Sequence, residues 1–310
     1  MNILIYGIGG VGGYFGARLA ATEHHVTFIA RGKHLEAIRE NGLLVKSFLG
    51  DFRARPDLCT DTLNTVPQPD LVILGVKSWQ LPEAARALRT ILKPGTLVLP
   101  LQNGVDNSEK LRQFIPEQQI LTGFCNLISF VEAPGIIRHA AFNPRLSFGE
   151  TDNRKTERAL QTDRVFRQAG INSSIPEDIH REIWRKFMFI TTISGLGGLT
   201  RVPIGTIRQS AYLYRMMRDT AEEILAVARA GNIDLNPSDV DDVMDIINNQ
   251  APESTASTQR DIMAGKPSEL ENFNGYIVRE AKKLGIPVPV NEMIFECLLP
   301  MEKKARETSL

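Results

Sequence analysis

The apolar residues of this chain follow two different rhythms. Over the first half they come in short unbroken runs, Ile3–Tyr6, His25–Ala30, Leu71–Val76 and Thr96–Leu101, bounded by turn formers. Runs of that length predict strands of a parallel sheet covered on both faces. Leu81–Leu92 has helical spacing, with Pro82 in its first turn and Pro94-Gly95 at its end. Ile120–Val131, Gly135–His139 and Arg145–Phe148 predict further strands, and Arg154–Ala169, closed by Gly170, a helix. This alternation predicts a doubly wound α/β domain. Beyond about residue 175 the spacing is helical throughout: Ile179–Thr192, Ala211–Ala230, Ser238–Asn249, Ser257–Met263, Ser268–Leu284 and Asn291–Ala305. Gly231 and Gly285 stand where C-caps belong, and Ser238 and Ser268, each after a proline, where N-caps belong. The chain is thus expected to divide near Ser174-Ile175-Pro176, into an α/β domain over 1–174 and an all-α domain over 175–310. An active site is expected in the cleft between two such domains.

The first predicted strand runs straight into Gly7-Ile8-Gly9-Gly10-Val11-Gly12, and Tyr14–Ala21 then reads as a helix. Strand, glycine turn and helix in that order are the context of a dinucleotide-binding GxGxxG. The first glycine permits the tight turn, the second lets backbone approach a pyrophosphate, and the third lets helix pack on strand. The helix N-terminus then presents free N–H groups and a positive dipole to the phosphates. A glycine-rich turn serving packing alone is the competing reading. In the NAD form of this Rossmann-type unit an Asp or Glu ends the second strand, about 20 residues on, and binds a ribose hydroxyl. Here that strand ends Phe28-Ile29-Ala30-Arg31. A guanidinium suits a 2′-phosphate, so the expected cofactor is NADP(H). A solvated surface charge is the alternative reading of Arg31, and Lys33 and His34 stand close enough in sequence to assist.

Composition narrows the function classes. The 310 residues suffice for two domains, and 36 Lys+Arg balance 36 Asp+Glu, so no basic excess argues for nucleic acid. Cys59, Cys125 and Cys297 form no CxxC, and the five histidines form no paired-ligand pattern, so no metal is implied. No cationic segment leads an apolar one at the N-terminus, and no apolar run reaches the ~18 residues of a membrane span. A cytoplasmic protein without membrane or nucleic-acid partners is expected, with the long helix faces suited to a homodimer.

Further motifs stand in order along the chain. Val76-Lys77-Ser78-Trp79-Gln80 follows the third predicted strand of the sheet, and Gln102-Asn103-Gly104-Val105 follows the next. The helical half carries Glu182-Ile183-Trp184-Arg185-Lys186 and Gly265-Lys266-Pro267-Ser268-Glu269-Leu270-Glu271-Asn272-Phe273-Asn274-Gly275. With the glycine turn, this set resembles the ketopantoate reductases (2-dehydropantoate 2-reductases) over essentially the whole chain. The resemblance implies a Rossmann-type domain followed by an all-α domain, a 6-phosphogluconate dehydrogenase-like arrangement. It also implies NADPH-dependent reduction of ketopantoate to pantoate, toward pantothenate.

Residue by residue, the resemblance makes Lys186 the proton donor and Glu269 its supporting carboxylate. It puts Asn103 beside cofactor and substrate, lines the cofactor site with Lys77, and directs Arg31 to the NADP phosphate. Ser257 matches a serine that contacts the substrate carboxylate. Polar residues, commonly asparagine, follow the family's lysine at four and eight positions and once further on. Here those positions hold Ile190, Ser194 and Ile204. Ser194 keeps a polar contact to substrate, and the two isoleucines open the identity of the 2-keto acid. The alternatives are therefore a paralogous reductase of another 2-keto acid and, from a different class, a dinucleotide-binding sensor without turnover. A pure binder needs no proton donor, so an intact Lys186, Glu269 and Asn103 speaks against the last. On the bare residues, Lys186 also reads as a helix-face charge, Glu269 as a first-turn acid and Asn103 as a turn former.

Overall fold

The computed structural model describes residues 1–308 and divides into two compact units, Met1–Ile179 and a second beginning at His180. The first unit runs β1 (Asn2–Tyr6), α1 (Gly10–Leu19), β2 (His25–Ile29), α2 (Gly32–Asn41), β3 (Leu43–Ser47), β4 (Phe52–Ala54), β5 (Leu58–Thr60), β6 (Leu71–Leu74), α3 (Leu81–Leu88) and β7 (Leu97–Pro100). It continues with α4 (Asn107–Arg112), β8 (Leu121–Ala133), β9 (Ile136–Glu150), α5 (Glu157–Gln168) and β10 (Asn172–Ser174). Five strands form a parallel sheet in the order β5-β2-β1-β6-β7, the expected doubly wound core. Side chains alternate across it. Ile3 and Ile5 of β1 enter one core with Tyr14, Phe15 and Leu19 of α1. Leu4 and Tyr6 enter the other, with Leu81, Ala85 and Leu88 of α3.

A second sheet lies beyond that pattern. Its order is β10-β9-β3-β4, with β8 antiparallel to β9. β3 and β4 are short and half-buried, with too little periodicity to read. β9 reads as two strands because Phe142 takes φ +63° and the pairing with β8 shifts register between Asn126 and Ile128. A bulge of this kind bends a strand without ending it, so the ladder resumes at Arg145 opposite Asn126. Ile137 of β9 packs in the same core as α1, which therefore lies between the two sheets.

β9 ends on Glu150, 4% exposed. Arg158 Nε donates to it at 2.7 Å, and Arg158 Nη2 and Thr156 Oγ1 donate to its two oxygens. Burial pushes this carboxyl up, but those hydrogen bonds and the Arg158 charge outweigh burial and hold it below the usual carboxylate range.

The second unit is all helical: α6 (Ile179–Thr200, which starts on the last residue of the first unit), α7 (Ile204–Gln209), α8 (Ala211–Ala230), α9 (Pro237–Asn248), α10 (Ser257–Met263), α11 (Asn274–Leu284) and α12 (Pro289–Glu307). α6 runs eight residues past its expected end at Thr192, through Gly195, Gly197 and Gly198. A Cβ on Gly195 would stand 2.8 Å from the Asn274 amide oxygen, and one on Gly197 would stand 2.5 Å from Gln259 Oε1. The glycines let α10 and α11 come close, and that packing outweighs their poor helix propensity. Two caps differ from expectation. Asn236, not Ser238, caps α9, accepting from Ser238 N–H at 3.1 Å while the Asp239 carboxylate accepts from Asn236 N–H at 2.9 Å. Ser268 does not cap α11, because a 3-10 turn over Leu270–Asn272 intervenes and α11 starts only at Asn274. Among the described residues, no helix is long and apolar enough to cross a membrane.

Glu150→Gln is expected to destabilise the first unit by about 2 kcal/mol at pH 7, the worth of hydrogen bonds to a buried charge. The folded carboxyl is depressed, so its contribution is complete above the unfolded glutamate pKa of about 4.3 and fades as pH falls through the folded value. Urea midpoints of the two proteins should therefore converge at low pH; a gap independent of pH would show that the Glu150 charge does not stabilise the fold.

Candidate functional site

The glycine turn is built from backbone meeting backbone. Gly7 holds φ +101° and lies against Gly75 and Val76 at the end of β6. A Cβ on Gly12 would stand 2.1 Å from the Gly7 carbonyl oxygen, and one on Gly75 would stand 2.6 Å from the same atom. A Cβ on Gly10 would strike the Ser129 carbonyl of β8 at 2.1 Å. Gly9, by contrast, would meet only the Gly75 carbonyl, at 3.7 Å, so that side of the turn is open. Gly9 is the N-cap of α1 and offers no capping side chain, and the first turn carries no acid. These are the features a pyrophosphate requires: an open glycine face, uncapped N–H groups and no competing negative charge. The turn fits a dinucleotide.

Arg31 is exposed, in extended conformation, at the N-cap of α2. Its guanidinium lies against the hydroxyl of Tyr6, at the end of β1; burial raises the Tyr6 pKa and Arg31 opposes that rise. No acid stands in the first turn of α2. Lys33 is exposed. His34 Nδ1 accepts from Gly135 N–H at 3.0 Å, and burial lowers its pKa although the Ile8 carbonyl opposes the shift. His34 thus ties α2 to the β8–β9 turn as a neutral ring rather than as an anion-binding cation.

At the ends of β6 and β7, Gln102 Nε2 donates to the carbonyls of Leu74 and Val76, at 2.8 and 3.0 Å. Asn107 Nδ2 donates in turn to the carbonyls of Gln102 and Gly104, at 2.9 and 3.2 Å. The loop carrying Lys77 and the Asn103-Gly104 turn, where Gly104 takes φ +116°, are therefore held by one chain of amides. Lys77 is exposed, its ammonium 5.6 Å from the centre of the Trp79 ring, and Asn103 is half-buried.

In the second unit, Lys186 is half-buried on α6, in the stretch that also carries Trp184 and Phe187. Those rings pack edge to face 5.6 Å apart, and Phe187 meets Phe273 at 6.1 Å and Tyr276 at 6.0 Å. The segment carrying Glu269 is thereby packed on the segment carrying Lys186. Glu269 itself is 5% exposed. Arg181 and Arg185 anchor the same end of α6 to the buried Asp239 of α9, at 2.8 and 3.0 Å. Ser194 is buried farther along α6, and Ser257 is exposed at the start of α10. Ile190 is half-buried, while Ile204 is 5% exposed at the start of α7 and its N–H donates to the Ser254 carbonyl at 3.0 Å. Ile204 thus fills a core position.

Two family models cover most of the chain: "Ketopantoate reductase PanE/ApbA" matches residues 3–153, and its C-terminal counterpart matches residues 178–302. The chain belongs to the ketopantoate reductase family. It is 30% identical to the 2-dehydropantoate 2-reductase of Pyrococcus abyssi, over 95% of this chain and 96% of that protein. The crystal structure of a PanE/ApbA family ketopantoate reductase from Ralstonia eutropha JMP134 superposes with a TM-score of 0.90 at 32% identity, covering 99% of this chain and 100% of that one. D-mandelate dehydrogenase, in a ternary structure with NADH and anilino(oxo)acetate, shares the fold at 23% identity, with a TM-score of 0.89 and coverage of 99% and 100%. A member of this family is an oxidoreductase of 2-keto acids that uses a nicotinamide cofactor.

For a member of this family the sequence motifs omit several supports. Gln102 and Asn107 left only a faint signal, amides beside an Asn-Gly turn. Tyr6 left none, because its partner Arg31 comes from another element, and His34, expected to assist Arg31, instead accepts from Gly135 N–H.

Gly12→Ala should force the turn apart, since its Cβ would overlap the Gly7 carbonyl. Affinity for NADP+ is expected to fall about tenfold or more, ~1.4 kcal/mol, by isothermal titration calorimetry. Affinity equal to wild type would show that the turn does not hold the pyrophosphate.

Proposed function

We propose that this enzyme reduces a 2-keto acid with NADPH, and that ketopantoate is its substrate, toward pantothenate. The packing of the Lys186 segment on the Glu269 segment, through Phe187 and Phe273, carries this reading: it joins in one unit a proton donor and a carboxylate that belong to the family's motifs. The cofactor, when bound, supplies the hydride that reaches the carbonyl carbon. Negative charge then develops on the carbonyl oxygen. The Lys186 ammonium stabilises that charge and delivers the proton that completes the hydroxyl. Glu269 holds the lysine or a substrate hydroxyl. Ser194 and Ser257 offer hydroxyls to the substrate, Ser257 to its carboxylate. In the first unit, Gly7 to Gly12 receive the pyrophosphate, while Lys77 and Asn103 line the rest of the cofactor site. Arg31, exposed and with no acid beside it in the first turn of α2, supports the choice of NADPH over NADH.

A second reading keeps the chemistry and changes the acid. Ile190 stands half-buried where a polar contact to a hydroxylated substrate is expected, whereas Ile204 belongs to the core, and an apolar wall at Ile190 favours a 2-keto acid with fewer hydroxyl groups.

A panel of 2-keto acids including ketopantoate, followed by loss of NADPH absorbance, separates the two readings. Highest kcat/KM with ketopantoate supports the first, preference for an apolar acid the second, and turnover of none removes both. Lys186→Ala should lower kcat by about 10²- to 10⁴-fold with NADPH affinity retained; an unchanged kcat would remove its role as proton donor. Arg31→Ala should shrink the preference for NADPH over NADH about tenfold, the worth of one charge-assisted contact. Equal affinities in the wild type would refute the argument from Arg31.

A further inference from the structure

The C-terminal helix reaches back to the residue before Glu269. Glu302 of α12 is 4% exposed and Ser268 fully buried. The two Glu302 oxygens accept the Ser268 N–H at 3.1 and 3.0 Å, and Oε2 also accepts the Ser268 hydroxyl at 2.5 Å. Arg306, one turn farther along α12, pairs with Glu302 at 2.7 Å and donates to the Ser268 carbonyl at 3.1 Å. Ser268 Oγ in turn accepts Leu270 N–H at 3.3 Å. Every polar group of Ser268 is thus engaged. On the other side, the Glu269 carbonyl accepts the N–H groups of Asn272 and Phe273, both at 3.0 Å.

Glu269 therefore sits between two immobilised points, with its own backbone at φ −93° and ψ 18°, in the sparsely populated bridge region. This arrangement does not serve to cap a helix, because α11 begins only at Asn274. Nor is a buried ion pair an economical way to stabilise a fold, since desolvation offsets most of the attraction and apolar packing does as well. What the clamp does achieve is to remove backbone freedom at one residue, and a reacting group held by a rigid support keeps a productive geometry that a looser one loses.

We propose that Glu302 is a positioning residue for Glu269, acting through Ser268 and itself held by Arg306. The proposal rests on the reading of Glu269 as a member of the active site. Glu302→Gln keeps the side-chain volume but turns one acceptor into a donor facing donors. The expected result is a loss of about tenfold to a hundredfold in kcat for 2-keto acid reduction, with NADPH affinity unchanged. Because Glu302 acts through Glu269, the double variant Glu269→Gln/Glu302→Gln should be no slower than Glu269→Gln alone, as for residues that work as one unit. Ser268→Ala, which removes only the hydroxyl contacts, should lose kcat in the same direction; it decides the matter if Glu302→Gln fails to fold. An unchanged kcat in the variant that folds, or losses that multiply in the double variant, would overturn the proposal. An active wild type with a crippled Glu269→Gln and a fully active Glu302→Gln overturns the role of Glu302 alone. A Glu269→Gln variant as fast as the wild type removes Glu269 from the site, and the positioning role with it.

Discussion

Close approach of backbone to backbone around the Gly7 carbonyl is the constraint on which the first unit depends. That oxygen has Gly12 on one side and Gly75 on the other, and neither position has room for a methyl group. The contact sets the angle at which α1 leaves β1 and the distance from that turn to the end of β6. Because Gly10 abuts the Ser129 carbonyl, it also seats β8 and its hairpin partner on the start of α1. An open, uncapped glycine turn and a two-sheet architecture are thus consequences of the same few missing side chains. The N–H groups at the start of α1 have no side-chain cap, because Gly9 stands at the N-cap.

The second unit uses the same device for another purpose. Glycines in α6 open grooves that admit Asn274 and Gln259. Asn274 donates to Asn291 at 2.9 Å, and Asn291 donates to Glu223 at 2.7 Å, so α11, α12 and α8 are linked through amide and carboxylate groups beside the place where α6 is thinnest. Gln259 donates to the Val202 carbonyl at 2.9 Å, closing α10 onto the end of α6. Apolar packing supplies the bulk of the stabilisation, but buried hydrogen bonds have strict geometry and select one helix arrangement among several of similar apolar area. The aromatic group of Trp184, Phe187, Phe273 and Tyr276 then brings the two candidate catalytic segments together.

How far this could be read from the residues depended on how local the cause was. The glycine turn, the strands β1, β2, β6 and β7 and the helix α8 are specified within a few residues, by turn chemistry or by a strong period, and were legible. The candidate site motifs were legible for the same reason, since each is a short string at the end of an element. Of the second sheet, β8 and the two ends of β9 were legible as strands, whereas β3 and β4 were not, because they gain their order from pairing, and the Phe142 bulge hides the continuity of β9. The end of α6 was misread because glycine propensity argues locally for a break, whereas α10 and α11, far along the chain, repay its loss.

The amino-acid sequence by itself therefore determined the class of the fold, the glycine turn after β1 and the candidate residues around it. Each of these follows from periodicity, glycine spacing or charge within one segment. Tertiary structure alone decided which of those residues are held, and by what. Ser268 looks like a helix cap until Glu302, 34 residues later, takes its amide and hydroxyl. Ile204 looks like a lost polar contact until its burial at the start of α7 makes it core. Hydrogen bonds and burial between distant segments depend on where the whole chain goes, and no local pattern encodes that path.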